Sequence, residues 1–223
     1  LKLFFSHPIA VRRGFANRCL GVLLGFVLLG SAPLSWAAPD ASADEFIKRL
    51  TDELLTTVKS DKTILSGDIN KISALVDQRV MPHVNFQRMT ASAVGPGWRQ
   101  ATPEQQKRLQ DEFKMLLMRS YAGALSQVKD NYSIVVKPLR GAATDNEVVV
   151  RTEIRGGSEP VPLDYRLEKS PDAESGWRIY NFNILGIWLV DNYRTQFAQE
   201  INAKGIDGLI ASLSERNKAN NRK

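Results

Sequence analysis

Hydrophobic residues recur along this chain with two periods, and the switch between them divides it into three blocks. Phe46, Ile47, Leu50, Leu54 and Val58 share one face of a 3.6-residue repeat, which predicts an amphipathic helix over Asp40–Ser60. Ser66-Gly67-Asp68 interrupts that pattern, and Ile69, Ile72, Leu75, Val76 and Val80 resume helical spacing as far as Pro82. Ala93-Val94-Gly95-Pro96-Gly97 reads as loop. Thr102-Pro103-Glu104-Gln105 then opens a long helix ending near Val128: threonine caps, proline takes the first position and glutamine returns the reciprocal bond. Leu109, Phe113, Leu116, Leu117 and Ala124 line one side of it, and Met115, Met118, Ala122 and Leu125 line nearly the opposite side. A helix apolar on two faces must be covered on both, by other helices and a sheet or by a sheet and a ligand.

The period then changes to two. Tyr132, Ile134 and Val136 alternate with Ser133, Val135 and Lys137 over Asn131–Pro138. Val148, Val150 and Ile154 alternate with charged residues over Glu147–Arg155, and Val161, Leu163, Tyr165 and Leu167 do the same over Val161–Lys169. A fourth strand, Trp177–Leu185, is apolar on both faces; Phe182 and Ile184 are taken as inward-facing in preference to Ile179. Short loops rich in turn residues (Gly141–Asn146, Gly156–Pro160, Pro171–Gly176) predict an antiparallel meander with one wet and one greasy face. Helical spacing returns at Val190, Tyr193, Phe197 and Ile201 and stops at Lys204-Gly205. Asp207 is positioned to cap a last helix carrying Ile206, Leu209, Ile210 and Leu213, followed by a polar, frayed tail over Ser214–Lys223. Helices, a four-stranded and mainly antiparallel sheet, and helices again predict one α+β domain.

Residues 1–37 do not belong to that pattern. Arg12, Arg13 and Arg18 precede an apolar run, Leu20–Ala32, and Ser35 and Ala37 are the small residues of a signal-peptidase site. The expectation is a signal peptide cleaved after Ala37, leaving residues 38–223 as a single exported domain. An uncleaved anchor is the rival, disfavoured by the shortness of the run and by Pro33. Cys19 lacks the small residues that precede a lipidated cysteine. The chain carries a net charge of +6, but the segment holds Lys2, Arg12, Arg13 and Arg18 and no acid, so its removal leaves +2. The basic balance therefore gives little support to nucleic-acid binding, and no nucleic-acid partner is expected. Cys19 is the only cysteine, so the exported domain must be stable through its core alone, without disulfides.

Catalytic equipment is sparse. His83 is the one histidine beyond the leader and sits beside no recognisable serine motif. No His/Cys cluster can build a zinc site, and Asp68, Asp77 and Asp207 lack calcium-loop spacing, so no metal is expected. Glu153 and Asp164 alternate away from the apolar strand positions, towards solvent and the cross-strand arginines 151, 155 and 166. What remains is an apolar surplus rich in aromatics, including the block Ile184–Val190 with Trp188 inside it. Ordinary core and a cavity wall both account for it.

The stretch LVDQRVMPHVNFQRMTASAVGPGWRQATPEQQKRLQDEFKMLLMRSYAGAL, Leu75 to Leu125, resembles the MlaC family of periplasmic phospholipid-binding proteins, also called the toluene-tolerance auxiliary family. The similar features are the Val-Asp-Gln start with Pro82 after it, the Ala-Thr-Pro helix entry, the early phenylalanine and the Tyr-Ala-x-Ala-Leu exit. Trp177 with Tyr180, the Gly186-Ile187 turn and Lys204-Gly205-Ile206-Asp207-Gly208-Leu209 continue the likeness. One departure is Trp188, where members of that family tend to be small; it would either narrow the pocket or swing outward and widen it. The resemblance implies an NTF2-like fold with a deep apolar pocket and a periplasmic carrier, not an enzyme, that ferries glycerophospholipid between the outer and inner membranes and so maintains outer-membrane lipid asymmetry. It further implies an inner-membrane ABC transporter complex with an Mce-domain subunit and an outer-membrane lipoprotein–porin complex as partners. Phospholipid would be cargo, with no cofactor, and the carrier is expected to be a monomer. On that basis the tails lie between the sheet and the helices Asp68–Val80, Pro103–Val128 and Val190–Lys204. The expected wall is Val80, Phe86, Met89, Phe113, Leu117, Tyr121, Val136, Val150, Tyr165, Phe182, Ile184, Trp188 and Tyr193, with Met89, Met115 and Met118 as a deformable lining. Two rivals stay open: an NTF2-like enzyme on an apolar substrate, using Tyr165 or His83, and an interaction protein with a filled core.

Overall fold

The computed structural model describes residues 42–139 and 145–220. The expected signal peptide, its cleavage site and part of the loop at 141–146 lie outside the described residues. The first block opens with α1, Ala43–Ser60, whose start is fixed by a capping box between Ser42 and Glu45. Its buried stripe includes the expected Phe46, Ile47, Leu50 and Val58. A single extra turn, α2 (Lys62–Leu65), is capped by Asp61. Asp68 caps α3, Ile69–Leu75, by accepting from the Asn70 and Lys71 amides.

The helical run to Pro82 is not uniform, contrary to its simple periodicity. After α3 the chain widens into a π-helical turn, Val76–Val80, closed by a bond from the Met81 amide to the Val76 carbonyl, and then tightens into a 3-10 turn, Met81–His83. Pro82 has no amide to donate and ends the ladder there.

A helix that periodicity missed follows: α4, Phe86–Val94. The Asn85 side chain accepts from the Arg88 amide to cap it, and Gly95, at φ 69°, stops it. Phe86, Met89 and Ala93 are its buried stripe, while small and polar residues between them disguise the repeat. The expected loop at residues 93–97 is thus the end of α4 and a 3-10 turn. Helix α5, Pro103–Leu125, begins with the anticipated box between Thr102 and Gln105.

The sheet runs β1 (Ser133–Val136), β2 (Glu147–Arg155), β3 (Val161–Lys169), β4 (Trp177–Ile184) and β5 (Ile187–Trp188), in that order and antiparallel throughout. The expected four strands are present; the fifth is a two-residue return after a tight turn at Leu185-Gly186. A bulge resolves the two-faced β4. Leu167 pairs with Ile179 but Arg166 pairs with Asn181, so Tyr180 is an extra residue and the strand changes phase there. Ile179 before the bulge and Phe182 and Ile184 after it therefore face the same inner side. The expected preference for Phe182 and Ile184 over Ile179 is thereby corrected: all three are inward.

The outer face carries the charges. Arg88 reaches from α4 to Glu147 at 2.6 Å and to Glu168, and its guanidinium stacks 3.6 Å from the Tyr180 ring centroid. Tyr180 donates to Glu147 at 2.8 Å. Hydrogen bonds from Arg88 first, then Tyr180, hold the Glu147 carboxyl below its ordinary value. Glu153 pairs with Lys137 and Arg155. That wet face is not wet to its end: Asn181 and Asn183 are buried, and Asn181 accepts from the Val190 amide in the first turn of α6.

Helix α6, Leu189–Asn220, bends sharply at Gly205 (φ 70°, ψ −174°), a conformation open essentially only to glycine. The expected break is there, and Leu209, Ile210 and Leu213 beyond it return to the core. Asp207, expected as a cap, instead accepts from the Gln105 amide group at 2.8 Å and ties α6 to the start of α5. The tail, expected to fray, stays helical to Asn220, with Asn217 donating to the Glu112 carbonyl and carboxylate at 2.9 and 2.7 Å. Among the described residues no helix is long and apolar enough to cross a membrane.

Candidate functional site

The apolar interior forms two clusters rather than one. The larger packs the inner face of the sheet against α1, α4, the first half of α5 and α6; Phe113 sits at its centre, with rings of Phe86, Tyr193 and Phe197 at 5.8, 5.0 and 5.2 Å. The smaller gathers Val58, Ile64, Ile72, Leu75 and Met118, with Met115, Ala122 and Leu125 packed on it. The two-faced α5 serves both, as its pattern required. Ala124 departs from that pattern: it is exposed, although Leu125 beside it still packs on the smaller cluster.

Between the clusters lies a cavity of about 230 Å³. Ile72, Val76, Val80 and Met81 form one wall, from α3, the π turn and the start of the 3-10 turn. Lys114, Leu117, Met118, Tyr121, Ala122 and Leu125 form a second, repeating along α5 at three- and four-residue steps. Val84 just before α4, Phe86 and Met89 from α4, Phe182 and Ile184 from β4, and Leu189 at the start of α6 complete it. Lys114 is the one charged side chain among these. The Tyr121 hydroxyl is pushed up, by burial first and by Tyr193 second, so it stays neutral.

Of the expected wall, Val80, Phe86, Met89, Leu117, Tyr121, Phe182 and Ile184 do surround this space. Phe113, Val150 and Tyr193 are not among its lining residues; they are buried in the main core, Tyr193 edge-on to Phe113 at 5.0 Å. Tyr165 is likewise buried, edge-on to Phe182 at 5.7 Å, and Val136 packs on the core from β1. Trp188 turns outward: β5 places it beside Asn183, and the Arg166 guanidinium lies over its ring at 4.1 Å. Most of α6 therefore does not wall the cavity, which it touches only through Leu189.

The residues overlooked were Ile72, Val76, Met81, Val84, Lys114, Ala122, Leu125 and Leu189. For those on α5 the signal was present, since they continue the Met118 stripe one helical turn back to Lys114 and two turns on to Leu125. Met115 belongs to the smaller cluster instead.

The two residues considered for catalysis are placed as packing. Burial drives the Tyr165 phenol far up, leaving it neutral, and His83 is half-buried, its imidazole lowered mainly by burial and its ring 5.4 Å from Phe46. Beside the cavity, Leu185 and Ile187 are 65% and 55% exposed. Leu185 adopts φ 54°, which costs a residue with a Cβ about 1–2 kcal/mol. The tight turn demands that conformation, and leucine there presents an apolar tip one residue from the wall.

Residues 48–215 match the family model described as MlaC protein. The chain belongs to the MlaC family. It is 21% identical over 195 residues to the intermembrane phospholipid transport system binding protein MlaC of Haemophilus influenzae, covering 86% of this chain and 90% of that one. Toluene tolerance protein Ttg2D of Pseudomonas putida is 30% identical over 183 residues, covering 81% and 82% of the two chains. Among solved structures, the phospholipid-binding protein from Ralstonia solanacearum in complex with a phospholipid superposes with a TM-score of 0.77. It is 46% identical, covering 81% of this chain and 99% of the other. The α+β arrangement of an antiparallel sheet wrapped by helices agrees with an NTF2-like fold.

Proposed function

We propose that this MlaC-family protein is a phospholipid carrier of the periplasm, holding acyl chains in the cavity between its two apolar clusters. The carrying observation is that cavity itself: a space open to solvent at a rim and lined, Lys114 apart, by aliphatic, methionine and aromatic side chains. Transferring a sixteen-carbon tail out of water is worth roughly 12 kcal/mol, so a lipid crosses an aqueous gap only with its tails covered. Val80, Phe86, Met89, Leu117, Tyr121, Phe182 and Ile184 are the proposed tail contacts, with Ile72, Val76, Met118, Ala122 and Leu125 added to them. Phe113, Val136, Val150, Tyr165 and Tyr193 act one layer back, holding the walls.

The space is below the ~300–1,000 Å³ of pockets that enclose drug-sized ligands, so two long chains need the walls to part. The π turn and the methionines are the deformable parts of that wall. The protein carries lipid rather than converting it, moving glycerophospholipid between the outer and inner membranes and exchanging it with an inner-membrane ABC transporter bearing an Mce-domain subunit and an outer-membrane lipoprotein–porin complex. The apolar Leu185–Ile187 tip beside the wall supports docking at this end of the molecule.

Native mass spectrometry of protein purified from a periplasm should show co-purified phospholipid. Leu117→Arg, which puts a charge into the wall, should lower occupancy severalfold, while the surface change Glu104→Arg leaves it unaltered. Protein that is lipid-free as isolated and takes up nothing from vesicles would sink the carrier reading.

A further inference from the structure

We infer that Lys114 reads the phosphate of the cargo, exchanging its partner Asp77 for the phosphodiester of a bound lipid at the rim of the cavity. This rests on the carrier reading. Lys114 begins the α5 stripe that continues through Leu117, Met118 and Tyr121, so its stem lies along the tail-binding wall. Its side chain is less than one-third exposed, which places the ammonium where the wall meets water. The ammonium donates to Asp77 at 2.9 Å. Asp77 belongs to the π turn, whose Val76 and Val80 form the facing wall, so the ion pair spans the rim from one wall to the other.

The pair is a single contact with a half-exposed carboxylate, the kind of ion pair that contributes little and exchanges readily. An ammonium has three donors, and a phosphodiester anchored by tails already in the cavity is held beside it at high effective concentration. A neutral lipid with the same tails brings no anion and leaves Asp77 in place. Lys114 thus makes the site favour phosphate-bearing lipids over neutral ones, without touching the rest of the head group.

The test loads delipidated protein from vesicles of phosphatidylglycerol and diacylglycerol with matched chains, and counts each by native mass spectrometry. Wild type should favour phosphatidylglycerol by about two- to fivefold, the range of one partly exposed ionic contact. Lys114→Met keeps the apolar stem and should abolish the preference while diacylglycerol still loads. Lys114→Arg should restore it, and Asp77→Asn, removing the competing carboxylate, should raise it. A preference unchanged in Lys114→Met, with both lipids loading, overturns the assignment. A preference erased by inorganic phosphate at matched ionic strength would assign Lys114 to the free anion and overturn it too. If neither lipid loads into wild type, the carrier reading falls, and this inference with it.

Discussion

Phe113 and Leu117 lie one turn apart on α5, and the two turns have opposite surroundings. Phe113 is 0% exposed and touches three aromatic rings supplied by α4 and α6. Leu117 faces the cavity across from Val76, Val80 and Ile184. Both are apolar residues on one helix. What separates core from wall is the opposing element: α6 brings large rings that pack on Phe113, whereas the π turn brings only the short side chains of Val76 and Val80 to the space at Leu117. Apolar content does not distinguish the two regions; completeness of packing does.

The widest separation between them should appear on truncation. Phe113→Ala should cost about 3–5 kcal/mol in denaturant unfolding, because its site cannot collapse. Leu117→Ala should cost only about 1 kcal/mol, since its side chain already borders open space, and should change the lipids carried. Equal losses at the two positions would mean that the cavity wall is packed as tightly as the core.

Trp188→Ser bears on the outer limit of the site. With the ring turned out under Arg166, its loss should leave lipid occupancy unchanged and remove at most a partly exposed cation–π contact, about 0.5–1 kcal/mol. A change in bound lipid would place the indole in the wall after all.

The smallest effect concerns how α4, which brings Phe86 and Met89 to the cavity, is strapped to the sheet. Glu147 is held below its ordinary 4.5 by Arg88 and Tyr180, so the unfolded chain binds its proton first as pH falls. The stabilisation is therefore complete above 4.5 and is lost as pH drops through the lower, folded-state value. Glu147→Gln should flatten that part of a plot of thermal midpoint against pH; an unaltered plot would show that the strap contributes nothing there.

Much of this fold was legible as written. Thr102 and Gln105 box the start of α5, and Gly205 breaks α6 where the repeat stops. The period-two runs of β2 and β3 set their bounds to the residue. Helix α4 was not legible, because Thr90, Ala91 and Ser92 interrupt its stripe and Gly95-Pro96-Gly97 advertises a loop. Asn85 and Gly95 were its signals, a cap and a stop with little periodicity between them. In the candidate site, the α5 wall could be read from helical spacing, but Tyr193 and Trp188 could not be assigned. Tyr193 has an inward position that another ring already fills, and Trp188 follows a turn whose direction only its hydrogen bonding fixes.

By itself, the sequence determined which faces are apolar, where α5 begins and where β2 and β3 begin and end, and that the chain has more grease than chemistry. Those are local properties, set by backbone periodicity, caps and the conformations that glycine and proline allow. Tertiary structure alone decided which greasy faces meet and which stay apart. Whether an apolar side chain fills the core or lines a cavity depends on the size and reach of residues distant in the chain. The bulge at Tyr180 brings Phe182 and Ile184 to the inner face with Ile179, and the widened turn at Val76–Val80 supplies another wall of the space between the clusters.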